Sequence, residues 1–243
     1  HSGSYDSVTE SWLIFGGQTH YTLSNELSVL TTTQGAEFWT TTIDSSGPSP
    51  RHGHSTAMDE AEGLLYLFGG EGYYGLLNDL WTYDLLTQSW SQHSPSGSVP
   101  LVKESSLGFD PVYGSVYLVG GQSYYALQDQ IFCLDSNTFS WQAANLTGGT
   151  LPPLKNTALS WSDSISGFFL FGGKSYYQLS NMAYAIQPTG VCEAEITEVS
   201  TTSFSPNPLH GSALVNHAFD GQIHIIGGQG YYMLSNTVLS FQP

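Results

Sequence analysis

The chain has 243 residues, of which 40% are hydrophobic and 14% aromatic, and this composition excludes a disordered tail and permits a large buried core. Twenty Asp and Glu residues stand against four Lys and Arg, for a formal net charge of -16. Such a chain lacks the basic patch that non-specific nucleic-acid binding needs, and an anionic membrane surface would repel it. No apolar run is long enough for membrane insertion.

Five Gly-Gly pairs divide the chain into repeats of roughly fifty residues. Each pair ends a short run of apolar residues, such as Leu65-Tyr66-Leu67-Phe68. Continuous apolar runs of this length, bounded by glycines, predict strands that are buried on both faces. In chain order the pairs are Gly16-Gly17, Gly69-Gly70, Gly120-Gly121, Gly172-Gly173 and Gly227-Gly228.

The same loop follows every pair, as in Lys174-Ser175-Tyr176-Tyr177-Gln178-Leu179. An Asn or Asp then opens a third strand, for example Asn78-Asp79-Leu80-Trp81-Thr82-Tyr83. A fourth, outer strand carries a large apolar residue that is expected to pack between repeats: Trp39, Trp90, Trp141 and, in the fourth copy, Ile196. Four strands per repeat without any helical period predict the blades of a β-propeller.

This pattern resembles the kelch-repeat family over essentially the whole chain. The second copy shows it best, with Arg51-His52-Gly53-His54-Ser55, Gly69-Gly70, Tyr83 and Trp90. By alignment Lys103 and Lys155 take the place of Arg51 in the next two copies, and Leu209 takes it in the fifth. The resemblance implies an all-β fold, a five-bladed kelch-type β-propeller of four-stranded antiparallel blades, as a single domain over residues 1–243.

The two ends of the sequence fall inside repeats. His1-Ser2 aligns with His54-Ser55, so the chain is expected to begin within a first strand. Phe241-Gln242-Pro243 aligns with Ile186-Gln187-Pro188 at the end of a third strand, so the last blade is expected to lack its outer strand. Either the parent chain is longer, or the last blade is three-stranded.

The loops after the Gly-Gly pairs carry two aromatic positions, here called the first aromatics and the second tyrosines. The second tyrosines and the leucine two positions later are the same in all five copies, which predicts packing between blades: Tyr21, Tyr74, Tyr125, Tyr177, Tyr232, Leu23, Leu76, Leu127, Leu179 and Leu234. Positions that differ between copies are better site candidates, because a specific ligand must distinguish the blades.

The family resemblance places these loops on one face of the propeller, around the mouth of a central channel. Exposed tyrosines and amides there would bind a protein or a glycan, although such a rim is equally compatible with a solvated loop. Lys174 marks where an acidic group would be met. The candidate ligand-binding residues are Gln18, His20, Glu71, Tyr73, Gln122, Tyr124, Lys174, Tyr176, Gln229 and Tyr231.

Metal, cofactor and catalytic sites are not predicted. His52 and His54 share a strand face, but no third ligand lies near them in sequence. Kelch-like copper radical oxidases need a Cys-linked Tyr, and Cys133 and Cys192 are expected away from the channel mouth. Sialic-acid mutarotases of this fold need cations for a carboxylate, and this chain has one Arg. No catalytic triad stands out.

The two cysteines do not form a disulfide framework and are predicted to be separate thiols, since blades splay apart toward the rim. Asn145-Leu146-Thr147 is a glycosylation sequon for a chain that enters the secretory route. Few lysines and many Ser, Thr, Gly and Tyr residues favour an extracellular or cell-surface setting. The sequence therefore predicts a binding module there, with self-assembly into a fibre or coat as the alternative and a kelch-type enzyme as the third possibility.

Overall fold

In the computed structural model the chain is all-β, and the structure describes residues 1–33, 36–199, 207–216, 222–231 and 234–241. These residues contain five sheets of three or more strands, which are the blades of the predicted kelch-type β-propeller. The fold class is thereby confirmed. The chain divides into two compact units, His1–Lys103 and Glu104–Pro243, here called the N-terminal and C-terminal units. The single domain stays a prediction.

The N-terminal unit holds two blades of four antiparallel strands each. Blade one has the order β1-β2-β3-β4, with β1 Ser2–Asp6, β2 Ser11–Gln18, β3 Leu23–Thr33 and β4 Ala36–Thr42. Blade two has the order β5-β6-β9-β10, with β5 Ser55–Asp59, β6 Leu64–Phe68, β9 Leu80–Asp84 and β10 Ser89–His93. Its loop forms a small hairpin of β7 Glu71–Gly72 and β8 Gly75–Leu76, and β11 Ser96–Gly97 follows the blade.

The C-terminal unit holds three blades. Blade three contains β12 Ser106–Asp110, β13 Ser115–Val119, β14 Ile131–Asp135 and β15 Ser140–Ala143. Blade four contains β17 Ala158–Ser162, β18 Gly167–Phe171, β19 Ala183–Gly190 and β20 Glu193–Glu198, and β16 Asn145–Thr147 adds to it in parallel beside β20. Blade five has three described strands, as predicted: β21 Ala213–Asn216, β22 Ile223–Ile226 and β23 Val238–Phe241.

Aspartates close the hairpins between first and second strands. The Asp110 carboxylate accepts backbone N–H groups of Val112 at 2.8 Å and Tyr113 at 3.3 Å, and Asp59 does the same in blade two. A side chain as short as that of Asp can accept hydrogen bonds from the backbone N–H groups that follow it, and these bonds stabilise the turn between the two strands. Burial raises the pKa of both carboxyls, because it disfavours the charged form.

The second strands are buried on both faces, as their apolar runs predict, in blades two, three and four. Alternation along β18 shows why: Phe168 and Leu170 join one apolar cluster, whereas Phe169 and Phe171 join another. Successive side chains of a strand point to opposite faces, so every residue of a strand between two neighbours must be apolar. In blade one the alternation is visible instead, since Leu13 is buried and Trp12 is exposed.

The outer-strand tryptophans differ in their burial. Trp141 is buried, and Trp90 is half-buried with its ring edge-on to Phe15 of blade one, 5.2 Å between centroids. Trp39 is 57% exposed, so its predicted packing role is wrong. Trp90 gains part of its burial from Phe15 of the neighbouring blade, and Trp39 has no ring contact of this kind within the described residues.

The two cysteines form a disulfide, with 5.4 Å between their Cα atoms, so the prediction of separate thiols is wrong. Cys133 lies on β14 and Cys192 just before β20, as expected from the sequence. Splaying of the blades does not separate them because β16 crosses to the outer edge of blade four. There the Asn145 N–H donates to the carbonyl of Cys192 at 2.9 Å, which holds that edge beside blade three.

Candidate ligand-binding loops

Each Gly-Gly pair begins a loop that returns on itself. Gly70 has a φ of +90°, and a Cβ on it would lie 2.7 Å from the carbonyl oxygen of His52, so only glycine fits there. The loop closes by a bond from the N–H of Leu77 to the Gly70 carbonyl. The same closing bond recurs in the three later copies: Gln128 to Gly121, Ser180 to Gly173 and Ser235 to Gly228. In the first four copies the two aromatic positions lie at the tip of the loop, and we call the five loops the aromatic loops.

The first aromatics are exposed, as predicted, with the four tyrosines at 54–62% of their full accessibility. Their hydroxyls are nevertheless engaged. Tyr73 Oη accepts the backbone N–H of Leu23 at 3.0 Å, in the loop of the preceding blade. The same bond joins Tyr176 to Leu127 at 2.8 Å and Tyr231 to Leu179 at 2.9 Å. These tyrosines therefore connect adjacent loops while one side of each ring stays open to solvent.

The second tyrosines are not buried, and their predicted packing role is wrong. Tyr21, Tyr74, Tyr125 and Tyr177 are 85–104% exposed, and Tyr232 lies outside the described residues. The loop geometry explains this, because the first aromatic of each pair occupies the space beside the neighbouring loop and the second is left at the tip. Sequence reasoning missed these residues as site candidates, although their presence in every copy was the signal.

The aromatic pairs present adjacent rings within one loop. The ring centroids of Tyr124 and Tyr125 are 6.4 Å apart, and those of Tyr176 and Tyr177 are 6.3 Å apart. In the first copy His20 lies edge-on to Tyr21 at 4.1 Å. In the fourth copy the pair offers one ring held by a hydrogen bond, Tyr176, and one almost fully exposed ring, Tyr177, that can stack on a ligand.

The Gly-Gly pairs also fix the register of the basic residues. The second glycine of a pair donates its N–H to a carbonyl at the start of the next blade, and the acceptors are Arg51, Val102, Leu154 and Leu209. Leu209 therefore aligns with Arg51, as predicted, but Lys103 and Lys155 do not. They fall one residue later, at the position that is equivalent to His52 and His210. The alignment slipped by one residue because a basic side chain occupies both positions in the second copy.

The residues at this position lie beside the first residue of each aromatic loop. His52 exchanges backbone hydrogen bonds with Glu71, and Lys155 does so with Lys174. The structure thus places the polar candidates Glu71, Gln122, Lys174 and Gln229 next to basic residues: His52, Lys103, Lys155 and His210. Gln18, in blade one, is exposed.

In the N-terminal unit both Arg51 and Lys103 are paired with carboxylates. Arg51 is fully buried and binds Asp79 through two nitrogens, at 2.6 and 2.8 Å. Burial alone would raise the pKa of Asp79, but the hydrogen bonds and charge of Arg51 together hold it below its usual value. Glu71 pairs with Lys103 and with His52, and the hydrogen bond from Lys103 lowers the pKa of its carboxyl despite burial.

In the C-terminal unit Lys155 pairs with Glu104 at 2.5 Å and donates to Gln122 at 2.6 Å. Lys174 makes no salt bridge within the described part of the chain. Burial lowers the pKa of His210, and the charges of Lys174 and Lys155 lower it further, against the opposing effect of Glu104. Lys174 thus presents beside His210 a cation that forms no salt bridge with the described residues.

Metal and catalytic chemistry have little to build on among the residues that the structure describes. No three His, Cys, Asp or Glu side chains there lie close enough together to hold a metal ion. His54 is buried and its Nε2 lies 3.1 Å from the carbonyl of Phe15. Both cysteines are in the disulfide, so neither is available for a thioether with a tyrosine.

The sequon asparagine, Asn145, is exposed on β16 at the outer edge of blade four. Its backbone N–H donates to the carbonyl of Cys192, and the residue remains exposed. Separately, no helix in the described residues is long and apolar enough to cross a membrane.

Comparison with known proteins agrees with this architecture. Residues 1–112 match the family described as the KLHDC2/KLHL20/DRC7 Kelch-repeats domain. Acyl-CoA-binding domain-containing protein 5 of Arabidopsis thaliana is 32% identical over 137 residues, 55% of this chain and 20% of that protein. The Rab9 effector protein with kelch motifs of Bos taurus is 24% identical over 205 residues, 79% of this chain and 52% of that protein.

A relative with an enzyme name is similar over a shorter part. The N-(sulfonatooxy)prop-2-enimidothioate sulfolyase of Thlaspi arvense is 27% identical over 130 residues, 53% of this chain and 37% of that protein. The chain thus spans between a fifth and about half the length of these three relatives. The five blades with their Gly-Gly loops and these matches support a kelch-repeat β-propeller.

Proposed function

We propose that this propeller is a non-catalytic module that binds a protein through its aromatic loops. One observation carries the proposal: the second tyrosines Tyr21, Tyr74, Tyr125 and Tyr177 are almost fully exposed. A tyrosine that is almost fully exposed and still recurs in the sequence of every copy has no evident role in the core. Exposed large aromatics grouped on loops are typical of binding surfaces.

The chemistry of the loops suits protein recognition. A tyrosine ring offers a large apolar face and a polar tip at little conformational cost, which is why tyrosine is frequent at interface hot spots. Because the first aromatics are bonded to the neighbouring loop, part of the surface is ordered before any ligand binds, and this lowers the entropic cost of association. The polar candidates at the loop starts would give direction and specificity.

Kelch propellers commonly mediate protein interactions and are generally non-catalytic, and the chain's kelch relatives support the same role here. The sulfolyase relative, 27% identical over 53% of the chain, does not decide between binding and catalysis. A glycan is a second ligand class for the same tyrosines, since sugar rings stack on aromatic faces.

The proposal includes an extracellular or cell-surface setting. The disulfide between Cys133 and Cys192 supports it, because disulfides persist in oxidising compartments and are rare in the cytosol. The exposure of Asn145 within its sequon also supports it, because an oligosaccharide there would meet no buried surface.

The test uses a library of random peptides displayed on phage, selected against the folded chain. Peptides recovered on the wild type are then measured against a variant carrying Tyr125→Ala and Tyr177→Ala. We expect the double variant to bind the peptides about 5–150-fold more weakly, the equivalent of 1–3 kcal/mol. The control is Tyr113→Ala, which removes a partly exposed tyrosine from the hairpin turn at the opposite end of β13.

Equal binding of the peptides to wild type and double variant would exclude the aromatic loops as the binding surface. A glycan array probed with the same three proteins separates the ligand classes, since glycan binding that depends on Tyr125 and Tyr177 would replace protein as the ligand. Light scattering on the wild type tests self-assembly. A concentration-dependent increase in mass that the double variant lacks would make a second copy the partner.

A further inference from the structure

A second site lies away from the aromatic loops, in the N-terminal unit. A cavity of about 190 Å³ opens beside the outer strand of blade two, lined by Asp44, Tyr83 and Trp90 together with the apolar Leu27. The volume is below that of pockets for drug-sized ligands and corresponds to one large side chain. The opening places a carboxylate, a phenol and an indole side by side.

The carboxylate is held in place by its own turn. Asp44 Oδ1 accepts the backbone N–H of Ser46 at 2.8 Å and its hydroxyl at 2.7 Å. These two bonds lower the pKa of Asp44, so the carboxylate is ionised at neutral pH. The turn closes with the Gly47 N–H donating to the Asp44 carbonyl at 3.2 Å. A Cβ on Gly47 would lie 2.7 Å from Trp90, so the turn also contacts the indole.

The aromatic wall is equally fixed. The rings of Tyr83 and Trp90 are tilted at 54° with 5.1 Å between centroids, and Phe15 contacts Trp90 from the other blade of the unit. Burial raises the pKa of Tyr83, and the charges of Asp44 and Asp84 raise it further. The phenol oxygen therefore lies in a negative potential, which would stabilise a cation placed in the cavity.

Among the described residues, only one blade has a tyrosine opposite the tryptophan of its outer strand. Trp90 lies opposite Tyr83, whereas the equivalent pairs join Trp39 to Leu30, Trp141 to Leu134 and Ile196 to Ile186. Blade two alone places a phenol across from a tryptophan. The ring of Tyr83 is buried in the apolar cluster between blades one and two, and its side chain also borders the cavity.

We infer that this cavity binds an arginine side chain presented by a protein partner. A guanidinium stacks on an indole face and donates in its own plane to a carboxylate, which an ammonium does less well. The charge of the whole chain, -16 with only four Lys and Arg, favours a basic partner and would speed its approach. The inference does not depend on the aromatic loops.

The test titrates N-acetyl-arginine-N-methylamide into the full chain labelled with ¹⁵N and follows the indole N–H signals, with Trp90→Phe to assign the Trp90 signal. We expect a saturable shift at Trp90 with a dissociation constant of about 1 mM, as for other ligands of this size. The citrulline analogue has the same shape without the charge and should produce no saturable shift.

Asp44→Asn should weaken arginine binding at least about tenfold, because a charge-assisted hydrogen bond is lost. Asp129→Asn removes the same charge from an exposed position elsewhere and should leave the affinity unchanged. The unshifted indole signals of each variant report that it is folded. Equal shifts with arginine and citrulline, no saturable shift at Trp90, or unchanged affinity in Asp44→Asn would each overturn the inference.

Discussion

The two units of this chain are built from the same repeat, but the blades within each unit are connected by different interactions. In the N-terminal unit a buried arginine binds Asp79, and a buried histidine reaches from blade two to the carbonyl of Phe15 in blade one. In the C-terminal unit the positions equivalent to Arg51 hold Leu154 and Leu209, and a disulfide joins blades three and four. The repeat thus specifies the strands and loops, while the links between blades are chosen separately in each unit.

The largest expected effect comes from breaking the buried ion pair. Arg51→Met leaves the Asp79 carboxylate partly buried without its partner, and we expect a loss of about 3–5 kcal/mol in the free energy of unfolding. Urea denaturation measures the loss, and hydrogen exchange should place it within residues 1–103. Lys103→Met, which breaks the more exposed pair with Glu71, is the control and should cost at most about 1 kcal/mol. A cost for Arg51→Met as small as that of the control would contradict this role of the pair.

The disulfide should have its effect in the other unit. Cys133→Ala with Cys192→Ala should cost about 2–5 kcal/mol, because the bond closes a loop of 59 residues in the unfolded chain. Hydrogen exchange should increase in residues 104–199 and stay unchanged in residues 1–103. Alkylation of the wild type without reductant should add no mass, and a gain of two alkyl groups would show that the bond is absent.

Acid should destabilise the N-terminal unit through His54. Burial lowers the pKa of His54 to about 3, and neighbouring positive charges add to the effect. The unfolded chain, with a histidine pKa near 6.5, therefore takes up a proton that the folded chain does not, and stability is lost as the pH falls below about 6.5. We expect a loss of roughly 2–3 kcal/mol between pH 7 and pH 4.

His54→Gln should remove most of this pH dependence, whereas His20→Gln, at an exposed loop position, should leave it intact. Burial also lowers the pKa of His93 and His210, so a smaller slope of the same sign should remain in the variant. Denaturation at a series of pH values measures it. An unchanged slope in His54→Gln would show that other groups cause the acid sensitivity.

The smallest expected effects test what the two units share. Tyr73→Phe and Tyr176→Phe each remove a hydroxyl that accepts a backbone N–H, one in each unit, and each should cost about 1 kcal/mol. Tyr74→Phe and Tyr177→Phe alter hydroxyls of almost fully exposed rings and should stay within about 0.5 kcal/mol. Thermal denaturation of the four variants measures this. Equal costs at both positions would show that the hydroxyl bonds do not stabilise the loops.

Much of the fold could be predicted because local sequence patterns specify the repeat. Gly-Gly pairs, apolar runs and aspartates at the hairpin turns each determine their own strand or loop, so the blades follow from the sequence. The disulfide could not be predicted, since it depends on β16 crossing to another blade, and no local pattern near Asn145 indicates a parallel pairing. The exposure of the second tyrosines was missed for a related reason. A residue present in every copy suggests packing until the structure shows that the first aromatic fills the available space.

The hydrogen bonds from the first aromatics have a mechanical consequence. Because Tyr176 is bonded to the loop before it and Tyr231 to the loop of Tyr176, the aromatic loops of the C-terminal unit form a chain in which each tip is attached to its neighbour. If a ligand displaced one loop, the hydrogen bond would transmit the displacement to the next loop. Binding at one tip would therefore change the affinity of the adjacent tip for a ligand. Loops that look independent of one another would then respond to a ligand as one coupled surface.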